Sequence, residues 1–211
     1  MLVEQKVFMS NKSAIKKLHS RLRKSFPRLF RQPSGPGYHR LDDLPSLETI
    51  VDIGVGHQGS FFLYDRFPNS YFISIDPLSE AEKIVNDLIN NGRLNGCFIR
   101  AAAGKETKEV SFTVSSSPSQ SSLFQRTRHN QHSRAIESRT TTVDRLDHLL
   151  EKIHIQRPAL LKADVEGGEY DCLLGATQTL EMMDYIILEL PLTANYHDAY
   201  RFSDAISLLA N

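Results

Sequence analysis

Two patterns of hydrophobic residues alternate along residues 41–211 of the 211-residue chain, one typical of strands and one typical of helices. Short continuous runs rich in β-branched and aromatic residues are typical of buried strands. They occur at 47–53, 71–75, 97–102, 159–163 and 185–190, with further extended segments at 110–114 and 139–143. Apolar residues at helical spacing occur at 60–66, 79–90, 144–152, 167–180 and 199–209. Strands that alternate with helices predict an α/β fold, in which a mostly parallel sheet has helices on both faces.

The first predicted strand runs directly into a glycine-rich turn. Gly54, Gly56 and Gly59 follow it with the G-x-G-x-x-G spacing. Because glycine has no Cβ, such a turn bends sharply and lets a ligand approach the backbone closely. A helix that begins near Gly59 would direct its free N–H groups toward that ligand. The pattern therefore predicts a nucleotide-binding site at the end of this strand.

Two carboxylates indicate which nucleotide the turn binds. Asp76 ends the second predicted strand, where an acidic residue accepts hydrogen bonds from ribose hydroxyls. This position fits a dinucleotide and S-adenosylmethionine equally. Asp52 stands just before the glycines, and its charge suits a ligand that carries an ammonium and opposes a pyrophosphate. The chain also leaves no room for a substrate domain after a complete dinucleotide fold, so the sequence favours S-adenosylmethionine.

A second group of acidic residues follows the strand predicted at 159–163. Asp164, Glu166 and Glu169 surround a Gly-Gly pair. They stand at the carboxyl end of the strand, where open α/β sheets bind ligands. Carboxylates here also favour the dipole of the next helix, but capping does not require three acids around two glycines. We therefore predict that they line a reaction site, with Asp164 or Glu166 as the candidate base.

Several segments, in the same order, resemble the FkbM-type methyltransferases. They are Val51-Asp-Ile-Gly54, Ile75-Asp-Pro77, Ala101-Ala-Ala-Gly104, Thr141-Thr-Val-Asp-Arg-Leu146, Leu161-Lys-Ala-Asp-Val-Glu-Gly-Gly-Glu169 with Leu174-Gly-Ala176, and Ile187-Leu-Glu189. The Lys-x-Asp-Val-Glu-Gly-x-Glu block is the most specific of them. The resemblance covers residues 49–190 and implies a Rossmann-like class I methyltransferase fold. It also implies O-methylation of a hydroxyl on a sugar, a glycan or a natural product.

The resemblance implies roles for individual positions. The cofactor contacts would be Asp52, Gly54 and Gly56 at the methionine end, Gly59 in the same loop, Asp76 at the ribose and Ala102 near the adenine. The methyl-transfer site would be lined by Asp164, Glu166 and Glu169. The chain departs from the family in three ways: it has Gly-Val-Gly where the family often has Gly-Ala-Asn, its loop is one residue longer before Gly59, and we expect that a C-terminal strand pair is missing.

Two other classes of function stay open at this point. An NAD-dependent oxidoreductase would share the first half of the pattern and would tolerate loss of Asp164. A binding module would keep the cofactor fold without turnover. The leading hypothesis remains a methyltransferase whose partner is a small-molecule or glycan hydroxyl, and no clear nucleic-acid signal is present. No metal site is predicted, because His129 and His132 lack cysteine partners.

The net charge of zero hides an asymmetry between two parts of the chain. Residues 1–40 carry ten basic side chains and one acid, so residues 41–211 carry fifteen and twenty-four. We therefore divide the chain into a basic arm with its linker, 1–40, and a methyltransferase domain, 41–211. A helix predicted at 12–26 either packs on the domain with its charges in solvent or touches an anionic surface.

The expected compartment is the cytoplasm. Cys97 and Cys172 lie far apart and form no metal or redox motif, which fits free thiols in a reducing environment. The chain has no run of apolar residues long enough to span a membrane, and its N-terminus lacks the apolar core of a secretory signal.

Overall fold

A computed structural model describes residues 41–115, 123, 135–190 and 200–210. The basic arm, the His129–His132 pair and most of the serine-rich segment after Val114 lie outside these residues. The predictions made for these segments therefore stay predictions. No helix within the described ranges is long and apolar enough to cross a bilayer.

Strands and helices alternate along the described chain, as the hydrophobic pattern predicts. The strands are β1 Thr49–Ile53, β2 Tyr71–Ile75, β3 Asn95–Ile99, β4 Ala102–Gly104, β5 Lys108–Ser115, β6 Ala135–Arg145, β7 Ala159–Ala163 and β8 Tyr185–Leu188. The helices are α1 Phe61–Arg66, α2 Ser79–Asn90, α3 Leu146–Leu149, α4 Glu169–Leu174, α5 Thr177–Glu181 and α6 Phe202–Leu209.

The central sheet has five strands in the order β3-β2-β1-β7-β8, and every neighbouring pair is parallel. Successive side chains of a strand face opposite sides of a sheet, so each strand contributes to two cores. One core joins Ile50 and Phe72 to α1 and α2, and the other joins Val51 and Leu161 to α3, α4 and α6. The α/β fold with a mostly parallel sheet is confirmed.

A second, three-stranded sheet departs from the predicted pattern. The predicted strand at 97–102 is two strands, because the chain turns at Arg100 and Ala101 and leaves the central sheet. β4 then pairs in parallel with β6, and β6 pairs antiparallel with β5, giving the order β4-β6-β5. The extended segments at 110–114 and 139–143 are the middle parts of β5 and β6.

Two predicted helices are shorter than expected. Of the helix predicted at 144–152, only Leu146–Leu149 is helical, as α3, because β6 continues to Arg145. The helix at 167–180 is divided into α4 and α5 around Gly175. A Cβ at Gly175 would lie 1.9 Å from the carbonyl oxygen of Gly104, so α4 ends where its backbone meets β4. Hydrophobic periodicity continues across this break because both helices bury the same face.

Asp147 is expected to stabilise the start of α5. Its Oδ1 accepts the backbone N–H groups of Gln178 (3.1 Å) and Thr179 (2.9 Å), and its Oδ2 accepts the Thr177 hydroxyl (3.0 Å). Replacing Asp147 with alanine should lower the free energy of unfolding by about 1–2 kcal/mol, the usual cost of losing a helix cap. Urea denaturation measures this, with Asp87→Ala on the exposed face of α2 as the control. Equal effects of the two substitutions would contradict the capping role.

Candidate functional site

A cleft opens at the carboxyl ends of β1, β2 and β7. β1 lies between β2 and β7, so the chain leaves the sheet in opposite directions on the two sides of this point. Ligands of open α/β sheets bind at such a crevice. The predicted site residues that line the cleft are Gly54, Gly56, Gly59, Asp76, Ala102, Asp164 and Glu166. The lining does not include Asp52 and Glu169.

The glycine turn is fixed between the two strands that flank β1. Gly54 has a φ of +79°, and its N–H donates to the carbonyl of Ile75 at the end of β2 (2.9 Å). On the other side, a Cβ at Gly54 would lie 1.8 Å from the carbonyl oxygen of Asp164. Gly56 and Gly59 also have positive φ, +66° and +77°. The G-x-G-x-x-G spacing therefore corresponds to three backbone positions that disfavour other residues.

Asp76 places a buried carboxylate at one end of the cleft. Its Oδ2 accepts the N–H of Gly56 and its Oδ1 accepts the N–H of Leu78, both at 2.8 Å. Burial raises the pKa of Asp76 to about 6, although these two hydrogen bonds and the charge of Lys162 oppose the shift. Each oxygen retains acceptor capacity, because a carboxylate oxygen has two lone pairs. The carboxyl group can therefore bind a hydroxyl of a ligand while it holds the glycine turn.

Carboxylates also line the opposite end of the cleft. Asp164 and Glu166 follow β7, and Glu166 adopts a left-handed backbone conformation with φ +53°. Glu169 points elsewhere: it is 1% exposed, and its Oε1 accepts the N–H groups of Val165 (3.1 Å) and Gly167 (3.3 Å). Its Oε2 accepts the Tyr200 hydroxyl (2.7 Å). Glu169 thus holds the loop that carries the other two acids, and its predicted place in the lining is not observed.

Apolar side chains and small residues form the wall near Asp76. Ala101, Ala102 and Ala103 come from the turn into β4, and Phe112 comes from β5 in the second sheet. Leu123 lies on the same wall. This part of the cleft suits a flat apolar group, and the second sheet that sequence patterns did not predict supplies part of it.

Asp52 lies behind the cleft and not in it. It is fully buried, and the Nζ of Lys162 lies 3.2 Å from its Oδ1. The same Nζ donates to the carbonyls of Gly54 (2.6 Å) and Ile53 (3.3 Å). The ammonium that the sequence predicted as the partner of Asp52 is therefore supplied by the chain itself. Burial works against the charged form of Lys162, but the attraction of Asp52 and Asp164 outweighs it and raises the pKa of Lys162.

Comparison with known protein families decides the class of this site. The model of the FkbM methyltransferase domain matches residues 52–211. The chain belongs to this family. No curated protein and no solved structure matches it. The matched region contains the whole cleft, including its glycine turn and both groups of carboxylates, so the cleft is that of an FkbM-family methyltransferase domain.

Two residues at the methyltransferase cleft carry no role predicted from the sequence: Lys162 lines the cleft, and Glu189 lies beside Asp164. Lys162 lies inside the apolar run of β7, where a lysine is seldom fully buried unless it is paired, and that position was the available signal. Glu189 follows β8, and its carboxyl group lies close enough to Asp164 for the two charges to interact. It belongs to the Ile187-Leu-Glu189 segment, but its contact with Asp164 depends on β8 pairing beside β7.

Glu189 keeps a proton into the neutral pH range. Burial, together with the charge of Asp164, raises the pKa of Glu189 to about 7. The charges of Glu166 and Glu169 act in the same direction, because neighbouring like charges disfavour ionisation. This proton lies beside the carboxylate that lines the cleft.

The stability of the methyltransferase domain is expected to fall as pH rises from about 5 to about 7, above the range in which the carboxylates of lowered pKa, such as Glu80 and Asp147, titrate. Asp76 and Glu189 have pKa values near 6 and 7 in the fold, above their ordinary values, so the folded state binds more protons than the unfolded state in this window. The free energy of unfolding then decreases with pH. Melting temperatures at fixed ionic strength measure this, and Glu189→Gln should flatten the upper part of the curve. A rise in stability across the window would contradict the two shifts.

Proposed function

We propose that the protein is an S-adenosylmethionine-dependent O-methyltransferase that acts on a hydroxyl of a sugar, a glycan or a natural product. The observation that carries the proposal is the charge of the cleft. Its described lining contains the carboxylates Asp76, Asp164 and Glu166 and one cationic side chain, Lys162. That ammonium is already engaged by Asp52 and by backbone carbonyls.

Such a lining suits a positively charged cofactor and disfavours a pyrophosphate. A dinucleotide phosphate group needs N–H donors or free cations at the turn. Here the N–H of Gly56 is bonded to the carboxylate of Asp76, and the N–H of Gly54 is bonded to Ile75. S-adenosylmethionine carries a sulfonium and an ammonium, which the carboxylates attract. The preference for S-adenosylmethionine thus rests on the whole lining of the cleft and not on Asp52, which Lys162 already pairs.

The residues at the cleft have distinct roles in the proposed reaction. Asp76 would accept hydrogen bonds from the ribose hydroxyls, and the apolar wall near Ala102 would hold the adenine. Bound S-adenosylmethionine supplies an electrophilic methyl group on its sulfonium. The protein aligns an acceptor oxygen behind that methyl group and excludes water, which in favourable cases contributes about 7–11 kcal/mol to lowering the barrier.

The acceptor hydroxyl loses its proton as it attacks, so a base near the methyl group assists. Asp164 and Glu166 are the candidates, since both line the cleft. Glu189 lies beside Asp164, and its pKa is raised to about 7. Ionisation of Glu189 adds negative charge next to the candidate bases, so the rate of transfer is expected to rise with pH through the neutral range.

Calorimetric titration of the purified protein tests the cofactor assignment. We expect S-adenosylhomocysteine and S-adenosylmethionine to bind with micromolar dissociation constants, and NADH to give no heat of binding at the same concentrations. Binding of NADH without S-adenosylhomocysteine would overturn the proposal in favour of an oxidoreductase.

Methyl transfer from radiolabelled S-adenosylmethionine to a panel of hydroxyl-bearing sugars and natural products tests the reaction. With an accepted substrate, Asp164→Asn combined with Glu166→Gln should lower the turnover rate by about 10²–10⁴-fold, the usual contribution of a positioned base. Binding of S-adenosylhomocysteine to the same variant separates loss of the base from loss of the site. Wild-type turnover in the double variant would remove both residues from this role.

A further inference from the structure

A row of buried polar side chains crosses the central sheet just below the cleft. Ser74, Asp52 and Lys162 occupy the same register on β2, β1 and β7, and all three are buried. Tyr64 of α1 packs on Phe72 of β2 beside this row, and burial together with the charge of Asp52 raises the pKa of its hydroxyl. Two positions earlier on these strands, the same face carries only Phe72, Ile50 and Leu160. The polar row is therefore confined to the last step before the glycine turn.

Stability alone does not explain this row. Removing two charges from water costs several kcal/mol for each ion, and well-packed apolar residues often replace a buried ion pair without loss of stability. Asp52 is fully buried and Lys162 is 4% exposed. A row of the apolar type found two positions earlier would fill the same core, so the ion pair calls for a role in the adjoining site.

The ammonium of Lys162 is directed at the junction between β1 and the glycine turn. It lies 2.6 Å from the carbonyl oxygen of Gly54 and 3.3 Å from that of Ile53. The carbonyl of Ile53 also accepts the N–H of Asp164 (3.1 Å), so it retains a partner without Lys162. Within the described residues, Lys162 is the donor observed for the carbonyl of Gly54. Asp52 balances the charge that this contact brings into the core.

We propose that Lys162 is a positioning residue that holds the glycine turn in its cofactor-binding conformation, and that Asp52 acts through Lys162 without touching the cofactor. In this inference, only the identity of the ligand rests on the proposed function. The strand β7 thereby fixes the turn after β1 by a side chain as well as by the close approach of Gly54 to Asp164.

Two variants separate the roles of the two charges. Lys162→Met alone would leave Asp52 buried without a partner, and the loss of stability from that unpaired charge would obscure the effect on the turn. The double variant Asp52→Asn with Lys162→Met removes both charges at nearly constant volume. Asp52→Asn alone keeps the donor to Gly54. The two variants therefore differ only in whether Lys162 is present.

The measurements are the melting temperature, hydrogen–deuterium exchange of residues 54–60 in the ligand-free protein, and affinity for S-adenosylhomocysteine. The double variant should fold, exchange about tenfold faster at 54–60 and bind about tenfold more weakly, since one charged hydrogen bond contributes on that scale. Asp52→Asn should lose only about threefold in each quantity, less than the double variant, because the donor to Gly54 remains and Asp164 still lies 3.8 Å from its ammonium.

Two results would overturn the proposal. One is a folded double variant with wild-type exchange and affinity, which would make Lys162 a core ion-pair partner only. The other is a loss of affinity in Asp52→Asn as large as in the double variant, which would make Asp52 a direct ligand. If the wild-type protein does not bind S-adenosylhomocysteine, the proposed function fails, while the exchange of the ligand-free turn still tests Lys162.

Discussion

Replacing Gly54 with alanine is expected to lower the free energy of unfolding by about 3–5 kcal/mol, through left-handed strain and a steric clash. The new Cβ would lie 1.8 Å from the backbone oxygen of Asp164, and no side-chain rotation relieves a contact with backbone. β1 and β7 would have to separate at their carboxyl ends. Because natural domains are stable by only about 5–15 kcal/mol, this is a large part of the total.

Gly92 provides a matched control for this prediction. It also has a positive φ, +67°, but a Cβ there would meet nothing within 4 Å. Gly92→Ala should therefore cost only the backbone strain, about 1–2 kcal/mol. Urea denaturation measures both variants, and calorimetry measures S-adenosylhomocysteine binding by the protein that remains folded. Similar losses of stability in the two variants would mean that the close approach of Asp164 to Gly54 adds no cost beyond backbone strain.

Asp76→Asn is expected to weaken binding of S-adenosylhomocysteine by about 10–100-fold, the range for one or two hydrogen bonds to a charged group. The carboxylate accepts two backbone N–H groups at once, from Gly56 and Leu78. An asparagine amide offers one acceptor oxygen, and its NH₂ group would face the other N–H donor. The substitution should therefore displace the glycine turn as well as remove the acceptor for ribose hydroxyls.

Asp184 is the control for Asp76. It accepts the N–H of Ala159 (2.8 Å) and pairs with Arg157, at the amino ends of β7 and β8, the edge of the sheet opposite the cleft. Asp184→Asn should lower stability modestly and leave the affinity for S-adenosylhomocysteine unchanged. Titration of both variants by calorimetry decides the matter. If Asp76→Asn binds as tightly as Asp184→Asn, the ribose assignment is wrong.

The strands of the central sheet were predictable because both faces of a parallel sheet are buried. Such strands are continuous apolar runs, and β2 and β7 have the predicted bounds. Asp76 and Asp164 follow these runs directly, so their place at the carboxyl edge of the sheet follows from the same pattern. Helix ends were less predictable, because the close approach of Gly175 to Gly104 that ends α4 joins segments far apart in the chain.

The sequence by itself determined the glycine turn, the alternation of strands and helices along the chain, and the presence of carboxylates at the ligand-binding edge. These depend on local backbone preferences and on hydrophobic periods, which neighbouring residues encode. Tertiary structure alone decided where each carboxylate points. Asp52 meets Lys162 because β1 and β7 pair in one register, and Glu169 turns to Tyr200 because α6 packs beside α4. Contacts between distant segments direct these charges, and no local pattern encodes such contacts.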